Sequence, residues 1–387
     1  MTDAIRLDDR PPLRIEASHG WIVRRPDEIF GYYAWPSVAR MDSGELVAVC
    51  SGGRAWHICP WGRTAIFRSS DEGCTWTAPE FVNNTPVDDR DAGMVSLGGD
   101  DLLLTWFSLD LRAKPQWRAM AEADIAQRMP DPARRPSWEK GLAALDDAAA
   151  KKWAGSWVRL SRDGGRAWGD FLRVPVNAPH GPARLRDGTL LYLGKAWNDG
   201  DGDATGLDAG VIGAVASSDG GQTWTARGDV PCGPGAKGLN FHEPHVVELP
   251  DGRLLGHIRS EAGDNQFPKF RIYQTLSSDR GASWRPARET GIRGSPPHLL
   301  ALADGTVVCV YGFREKPFGV RARATRDAGA TWGREWILRD DGPDSDLGYP
   351  ASAPLPDGSI FTVYYIKGAP NEPCSIAWSR WRPPTTD

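Results

Sequence analysis

The sequence has no run approaching the roughly 18 apolar residues that a membrane-spanning helix requires, so no membrane partner is expected. An excess of one charge is missing too. Lysine and arginine total 46 against 50 acidic residues, which leaves no basic footprint for a nucleic-acid partner. Met1 to Pro12 lacks the apolar core of a secretory leader, and the expectation is a cytoplasmic protein. Cysteines are few and scattered (Cys50, Cys59, Cys74, Cys232, Cys309 and Cys374), without C-x-x-C spacing, which in a chain of this size reads as reduced thiols. No motif with firm metal-ligand spacing occurs, so no cofactor is expected; a divalent ion held by histidines is an option without support. Nothing in the sequence speaks to oligomeric state.

What is abundant is tryptophan (18), glycine (44) and proline (31), in a chain with one credible long helical segment. Short apolar runs separated by turn residues point to an all-β sandwich, barrel or propeller. The 387 residues are long enough to bury a large core as a single domain.

One pattern, S/T-x-D-x-G-x-(T/S/A)-W, recurs five times: Ser69–Trp76, Ser161–Trp168, Ser217–Trp224, Ser277–Trp284 and Thr325–Trp332. Its residue types suit a rigid turn. The aspartate accepts backbone N–H bonds, the glycine supplies a positive φ, and the tryptophan buries a large plate beside the turn. A second repeat alternates with it. Six hairpin turns between apolar runs centre on Asp42-Ser43-Gly44, Gly98-Gly99-Asp100, Asp187-Gly188, Asp251-Gly252, Asp304-Gly305 and Asp357-Gly358. Six hairpins and five boxes predict six four-stranded blades, an all-β six-bladed β-propeller. An N-terminal strand near Leu13 to Arg25 is expected to complete the last blade.

The Trp-terminated turns resemble the Asp boxes of the sialidase-like superfamily, across almost the whole chain. In that family the boxes lie on the face opposite the functional site, so the resemblance keeps them out of the chemistry. The interval between the first two boxes is longer than the others. Its excess, residues 111–154, is rich in Ala, Arg, Glu, Asp and Lys and reads as a helical insertion in blade two, with Pro130, Pro132 and Pro136 dividing two short helices. Topology puts it on the site-bearing face, as a lid, a subunit contact or a solvated excursion.

Residues at the starts of the innermost strands crowd around the channel mouth: Tyr33 and Trp35, Arg90 and Asp91, His180, His242 with Glu243 and His245, His298, and Asp346 with Tyr349. Loops leaving the second strands add Arg54, His57, Lys195, Trp197, Arg259, Glu261, Arg314 and Arg321. The family carries a glutamate in N-E-x-x-V-V-E-L-x-D-G with an arginine sixteen residues on; here His242–Gly252 reads HEPHVVELPDG and Arg259 follows Glu243 at that distance. Gly348-Tyr349-Pro350 stands where the family has its tyrosine nucleophile, before the last D-G hairpin. Arg321 is similar to the third arginine of the family's carboxylate-binding triad, with Arg314 as a competitor. Two departures stand out. Ala34, in Tyr33-Ala34-Trp35-Pro36, replaces the first triad arginine, and no acidic residue lies between Arg54 and Arg68 where the family has its acid/base aspartate.

The resemblance implies a carbohydrate substrate and an exo-acting, retaining glycoside hydrolase on an acidic or unusual sugar other than ordinary sialic acid. Tyr349 would be the nucleophile and Glu243 its proton partner, because a phenol with its pKa near ~10 needs a neighbouring base. His57, Asp91 or a channel histidine would be the acid/base. Arg54, Arg259, Arg314 and Arg321 are expected to bind substrate, since guanidinium forks match a carboxylate. His180, His242, His245, His298 and Trp35 complete the expected binding set; the histidines equally suit structural hydrogen bonds or a metal, and Trp35, Trp56 and Trp197 suit sugar stacking or packing. The run Asn198–Asp203 superficially resembles a calcium loop but lacks the glycine at the sixth position and the distal glutamate, so a mobile acidic turn fits better. Two other functions suit the residues: a lyase acting on a uronate with His and Tyr as acid and base, and a non-catalytic sugar-binding propeller.

Overall fold

The computed structural model describes residues 4–384 apart from 114, 197–210, 234–235, 237–238 and 262–269, so Trp197 and the Asn198–Asp203 run lie outside the described residues. Six antiparallel sheets succeed one another along the chain as the blades of a propeller. Blade one is Tyr32–Arg40, Leu46–Arg54, Arg63–Ser69 and Glu80–Asn83, in that order from the axis outward. Blade two repeats the order with Asp88–Gly98, Asp101–Leu109, Gly155–Ser161 and Leu172–Arg173, and blade four with Asn240–Glu248, Leu254–Glu261, Phe270–Ser277 and Arg288–Arg293. In blade three two short strands, Val176–Asn177 and Ala183–Arg184, share the innermost place beside Leu190–Ala196. Blade five is Pro297–Ala301, Val307–Phe313, Gly319–Thr325 and Trp336–Arg339, and blade six is Gly348–Pro354, Ile360–Ile366, Ser375–Trp381 and Ala17–Val23. Each blade is covered on both faces by its neighbours. Leu46–Arg54 is accordingly buried along its whole length, and its first five residues, LVAVC, read as a continuous apolar run rather than an alternating one. Facing blades interdigitate: Tyr33, Val38 and Phe67 of blade one pack with Phe361, Val363 and Ile376 of blade six.

The Asp boxes are hydrogen-bonded corners. In the first, Asp71 accepts from the Thr75 backbone at 2.8 Å and its hydroxyl at 2.6 Å, while Ser69 Oγ accepts from Gly73 N at 2.8 Å. The same bonds recur around Asp219, Asp279 and Asp327. Trp76, Trp168 and Trp224 donate to the carbonyl of their own box glycine, whereas Trp332 turns inward, fully buried, to Gln274 of blade four at 3.0 Å. Each box joins a third strand to a fourth, at the same end as the D-G turns. The innermost strands therefore begin at the opposite end, where the candidate site lies.

Two expectations shift. Ring closure uses Ala17–Val23, paired with Ser375–Trp381, rather than the whole of residues 13–25. Leu13–Arg14 instead runs parallel to Trp336–Ile337 as an outer strand of blade five, and Arg6–Leu7 pairs with Thr331–Trp332. The insertion holds three α-helices, not two: Pro115–Arg128, Trp138–Ala143 and Asp147–Trp153. The prolines end the first, and Ser137 and Asp146 cap the second and third by accepting N–H bonds from Lys140 and Ala149. Ala121, Ile125 and Trp138 pack against Trp56, Ile58 and Trp61, and Arg128 donates to the Ala55 carbonyl. The insertion thus props the loop that carries His57.

Candidate active site

Eight described non-glycine residues adopt positive φ, and their distribution marks the site. Glu72, Arg280 and Ala328 lie in Asp-box turns. The other five are Trp35 (φ 54°), Asp91 (50°), His180 (78°), Glu243 (51°) and Tyr349 (49°), each at the start of the innermost strand of a different blade. The strand register breaks at four of them, between Ala34 and Ser37, Arg90 and Gly93, His242 and His245, and Gly348 and Ala351. A bulge of this kind re-aims one side chain while the ladder continues on either side. Left-handed backbone at a residue with a Cβ costs roughly 1–3 kcal/mol and persists only where the surroundings hold it. Repeated in five blades, it re-aims Asp91, Glu243 and Tyr349 at the pocket, sets Trp35 behind it and turns His180 onto His245 and His298. Gly93 permits the packing there, since a Cβ on it would stand 2.7 Å from the His180 carbonyl carbon.

Glu243, Arg259 and Tyr349 come together as the spacing predicted. The Tyr349 hydroxyl donates to Glu243 Oε1 at 2.6 Å, and one Arg259 nitrogen reaches both Glu243 Oε2 at 2.5 Å and Tyr349 Oη at 3.0 Å. His242 adds a ring nitrogen 3.3 Å from Glu243 Oε1. Burial opposes ionisation of Glu243, but Arg259 and His242 outweigh it and hold the carboxyl well below its ordinary range. Burial, reinforced by the Glu243 charge, pushes the Tyr349 phenol well above its own.

Asp91 goes the other way. Burial lifts its carboxyl from 3.8 to about 7; Arg90 opposes the shift and the charge on Glu243 adds to it. Its Oδ1 is buried without a hydrogen-bond partner among the described residues. The fold therefore binds the Asp91 proton more tightly than the unfolded chain does. That contribution to stability is complete below the unfolded pKa of 3.8 and is lost as pH rises through about 7. Asp91→Asn, which cannot titrate, is expected to gain stability relative to the parent between pH 5 and pH 8. Urea midpoints at the two values check it; a difference unchanged with pH would contradict the shift.

His57 occupies the rim, edge-on to Trp35 with ring centroids 4.9 Å apart. Its Nδ1 is 3.2 Å from Tyr32 Oη and 3.6 Å from Asp346 Oδ1. Desolvation lowers its pKa against the pull of Asp346. Asp346 accepts from Tyr32 at 3.1 Å and Tyr365 at 3.2 Å and lies 3.3 Å from Cys374 Sγ. Arg314 Nη2 donates to Tyr365 Oη at 3.2 Å, and its guanidinium lies 5.8 Å from the Tyr349 ring centroid.

Three expected binding residues are placed elsewhere. Arg54 is fully buried and paired with Asp88 at 2.7 Å, and donates as well to the carbonyls of Trp56, His57 and Asp89. Its donors are spent inside the protein, so it shapes the rim rather than offering itself to a ligand. Arg321 is bound to Glu335 at 2.5 Å and stacked on Phe313, between the third and fourth strands of blade five. Arg314, the competing candidate, has the place beside Tyr349. Trp35 has no exposed surface and lies against Arg90 at 4.2 Å and Arg54 at 5.0 Å, so it backs the pocket and presents no face to a sugar. Tyr33 likewise packs inward on Phe67, while Tyr32 takes the polar role. Sequence reading missed Tyr32 and Tyr365. The bulge after Tyr32 inverts the alternation that favoured its neighbour, and Tyr365 sits in a strand that reads as plain core.

A family model described as BNR repeat-like domain matches residues 147–362. No curated protein matches the chain by sequence. Among solved structures, a protein of unknown function from Dyadobacter fermentans DSM 18053 is similar at 25% identity and a TM-score of 0.70, over 96% of this chain and 99% of that one. The NanB sialidase of Streptococcus pneumoniae is similar at 13% identity and a TM-score of 0.61, over 94% and 70%. The Penicillium chrysogenum α-L-arabinanase complexed with arabinobiose is similar at 17% identity and a TM-score of 0.57, over 94% and 98%. The last two likenesses concern the fold alone.

Proposed function

Because the chain belongs to the BNR repeat-like domain family, we propose that its channel-mouth pocket is the active site of an exo-acting, retaining glycoside hydrolase for an acidic or unusual sugar. Its fold is the one used by sialidases and by an arabinanase, which makes carbohydrate the natural substrate class. The observation that carries the reading is the Tyr349–Glu243–Arg259 constellation beside a carboxyl, Asp91, that keeps its proton near neutrality. Neighbouring carboxyls whose environments drive their pKa values apart divide the acid and base roles.

In the first step Tyr349 Oη bonds to the anomeric carbon and its proton passes to Glu243, while Asp91 protonates the departing oxygen. Arg259, touching both Glu243 and Tyr349, stabilises the charge that moves between them. In the second step water attacks the anomeric carbon, Asp91 takes the proton of that water, and Glu243 returns one to Tyr349. A neutral phenol suits an anomeric carbon beside a carboxylate, which would repel an anionic nucleophile. Arg259 and Arg314 flank Tyr349 and supply the forks for that carboxylate. A panel of uronic- and nonulosonic-acid glycosides tests the reading, and kcat/KM should fall above about pH 7 as Asp91 ionises.

One observation favours a second reading, elimination from a uronate. His57 is neutral at pH 7, and Asp346 faces its Nδ1, which leaves Nε2 as a base. Elimination would create a double bond absorbing in the ultraviolet. Such products, lost in His57→Ala and retained in Tyr349→Phe, would replace hydrolysis with elimination.

A further inference from the structure

Two residues along its strand from Glu243, away from the mouth, His245 meets His180 of blade three and His298 of blade five. Ring centroids are 5.5 Å apart for His180–His245, 5.0 Å for His180–His298 and 4.4 Å for His245–His298. All three residues are more than nine-tenths buried. Both ring nitrogens of His180 and Nδ1 of His298 have no hydrogen-bond partner among the described residues. Buried polar groups left unpaired are costly, and a ligand reaching these rings from the pocket at Glu243 would relieve that cost.

The tautomer of His245 decides what that ligand is. The Leu299 backbone N–H donates to His245 Nδ1 at 3.0 Å, and an amide nitrogen can only donate there. The Nδ1 lone pair is therefore used, and the neutral ring must carry its proton on Nε2. A divalent metal needs a free lone pair from each imidazole, so this donor set does not fit one. Burial first, then the mutual proximity of the rings, keeps His180 and His298 well below the ordinary histidine range, and burial brings His245 to about 3. Three neutral imidazoles present a mixture of N–H donors and lone pairs. An anion would meet lone pairs it cannot use, and a cation would meet N–H groups. A hydroxyl, which donates and accepts, satisfies both.

We propose that His180, His245 and His298 form a closed floor that binds neighbouring uncharged hydroxyls at the non-reducing end of the sugar. The proposal rests on the hydrolase reading for its orientation: hydroxyls enter first, the acidic group stays beside Arg259 and Arg314, and the leaving group faces the mouth. A floor of this kind admits a chain end and not its middle.

The test is 15N NMR of histidine-labelled full-length protein, with glycerol and L-arabinose as neutral probes against acetate and zinc chloride. We expect the Nε2–H tautomer at His245, and resonances of all three histidines moved by the neutral probes and not by acetate or zinc. His298→Phe should weaken L-arabinose binding about tenfold, as for one lost buried hydrogen-bonding partner, and His298→Gln should recover most of it. Stoichiometric zinc binding that shifts the three histidines, the opposite tautomer at His245, or silence toward both neutral probes would overturn the proposal. None of these readouts uses turnover. A protein that binds arabinose on this floor yet cleaves no glycoside would sink the hydrolase reading alone, and an active hydrolase with unresponsive histidines would sink the floor alone.

Discussion

Tyr349→Phe is expected to lower kcat by roughly 10³-fold, the order seen when a principal catalytic group is removed. The substitution deletes one oxygen and leaves the ring against Trp35 and Tyr365, 6.3 and 5.7 Å away between centroids. The Glu243–Arg259 pair at 2.5 Å does not depend on that oxygen, so the pocket keeps its charge. KM should change little, because the lost interaction belongs to the transition state. Steady-state kinetics on whichever glycoside of the panel is cleaved supply the measurement, with the thermal midpoint as a check on folding. Turnover that survives in Tyr349→Phe, with hydrolytic products, would discard the covalent mechanism.

Arg54→Ala is expected to cost about 3–5 kcal/mol of stability, the penalty for stripping one partner from a buried ion pair. Arg54 and Asp88 are both without exposed surface, so the substitution leaves a carboxylate that water cannot reach with only Arg90 at 3.3 Å and the Cys59 N–H at 3.2 Å as partners. It also removes the Arg54 donor from the Asp89 carbonyl at 3.0 Å and from the His57 carbonyl at 3.1 Å, leaving the latter to Arg90 at 2.8 Å. Even Gly62 is tailored to this pair: a Cβ there would come within 2.1 Å of Arg54 and of Asp88. Arg54→Lys should fall between, since an ammonium keeps the charge but cannot span three carbonyls and a carboxylate. Urea unfolding measures the loss. A change below about 1 kcal/mol would mean the pair is open to solvent and Arg54 available to a ligand after all.

The two arginine outcomes show where sequence reasoning succeeded and where it stopped. Arg259 could be placed because it and Glu243 lie on the two paired strands of one hairpin, which brings them level even with the bulge at Glu243. Arg321 could not. Expected in a loop leaving the second strand, it lies inside the strand Gly319–Thr325 opposite Tyr311, and its side chain faces Glu335, contributed by the segment after the fifth box. An arginine in a second-strand loop looks the same in sequence whether its partner is a ligand or a neighbouring carboxylate. The first triad arginine was legibly missing, at Ala34, yet nothing nearby announced that Arg90 and Arg54 would instead enclose Trp35.

The amino-acid sequence alone determined the six blades, the turns that end them, the end of the propeller at which the innermost strands begin, and the meeting of Glu243, Arg259 and Tyr349. These follow from local chemistry repeated in register: an aspartate and a glycine make the same turn wherever they recur, and each hairpin returns its strand to the axis. Only the tertiary structure decided which side chains face the channel, which arginines are already paired, and which carboxyl keeps its proton. Bulges at Trp35, Asp91, Glu243 and Tyr349 reverse the two-residue alternation, and the charge state of Asp91 depends on burial and on Glu243 from another blade. Those are properties of neighbours distant in the chain, brought together only when the ring closes.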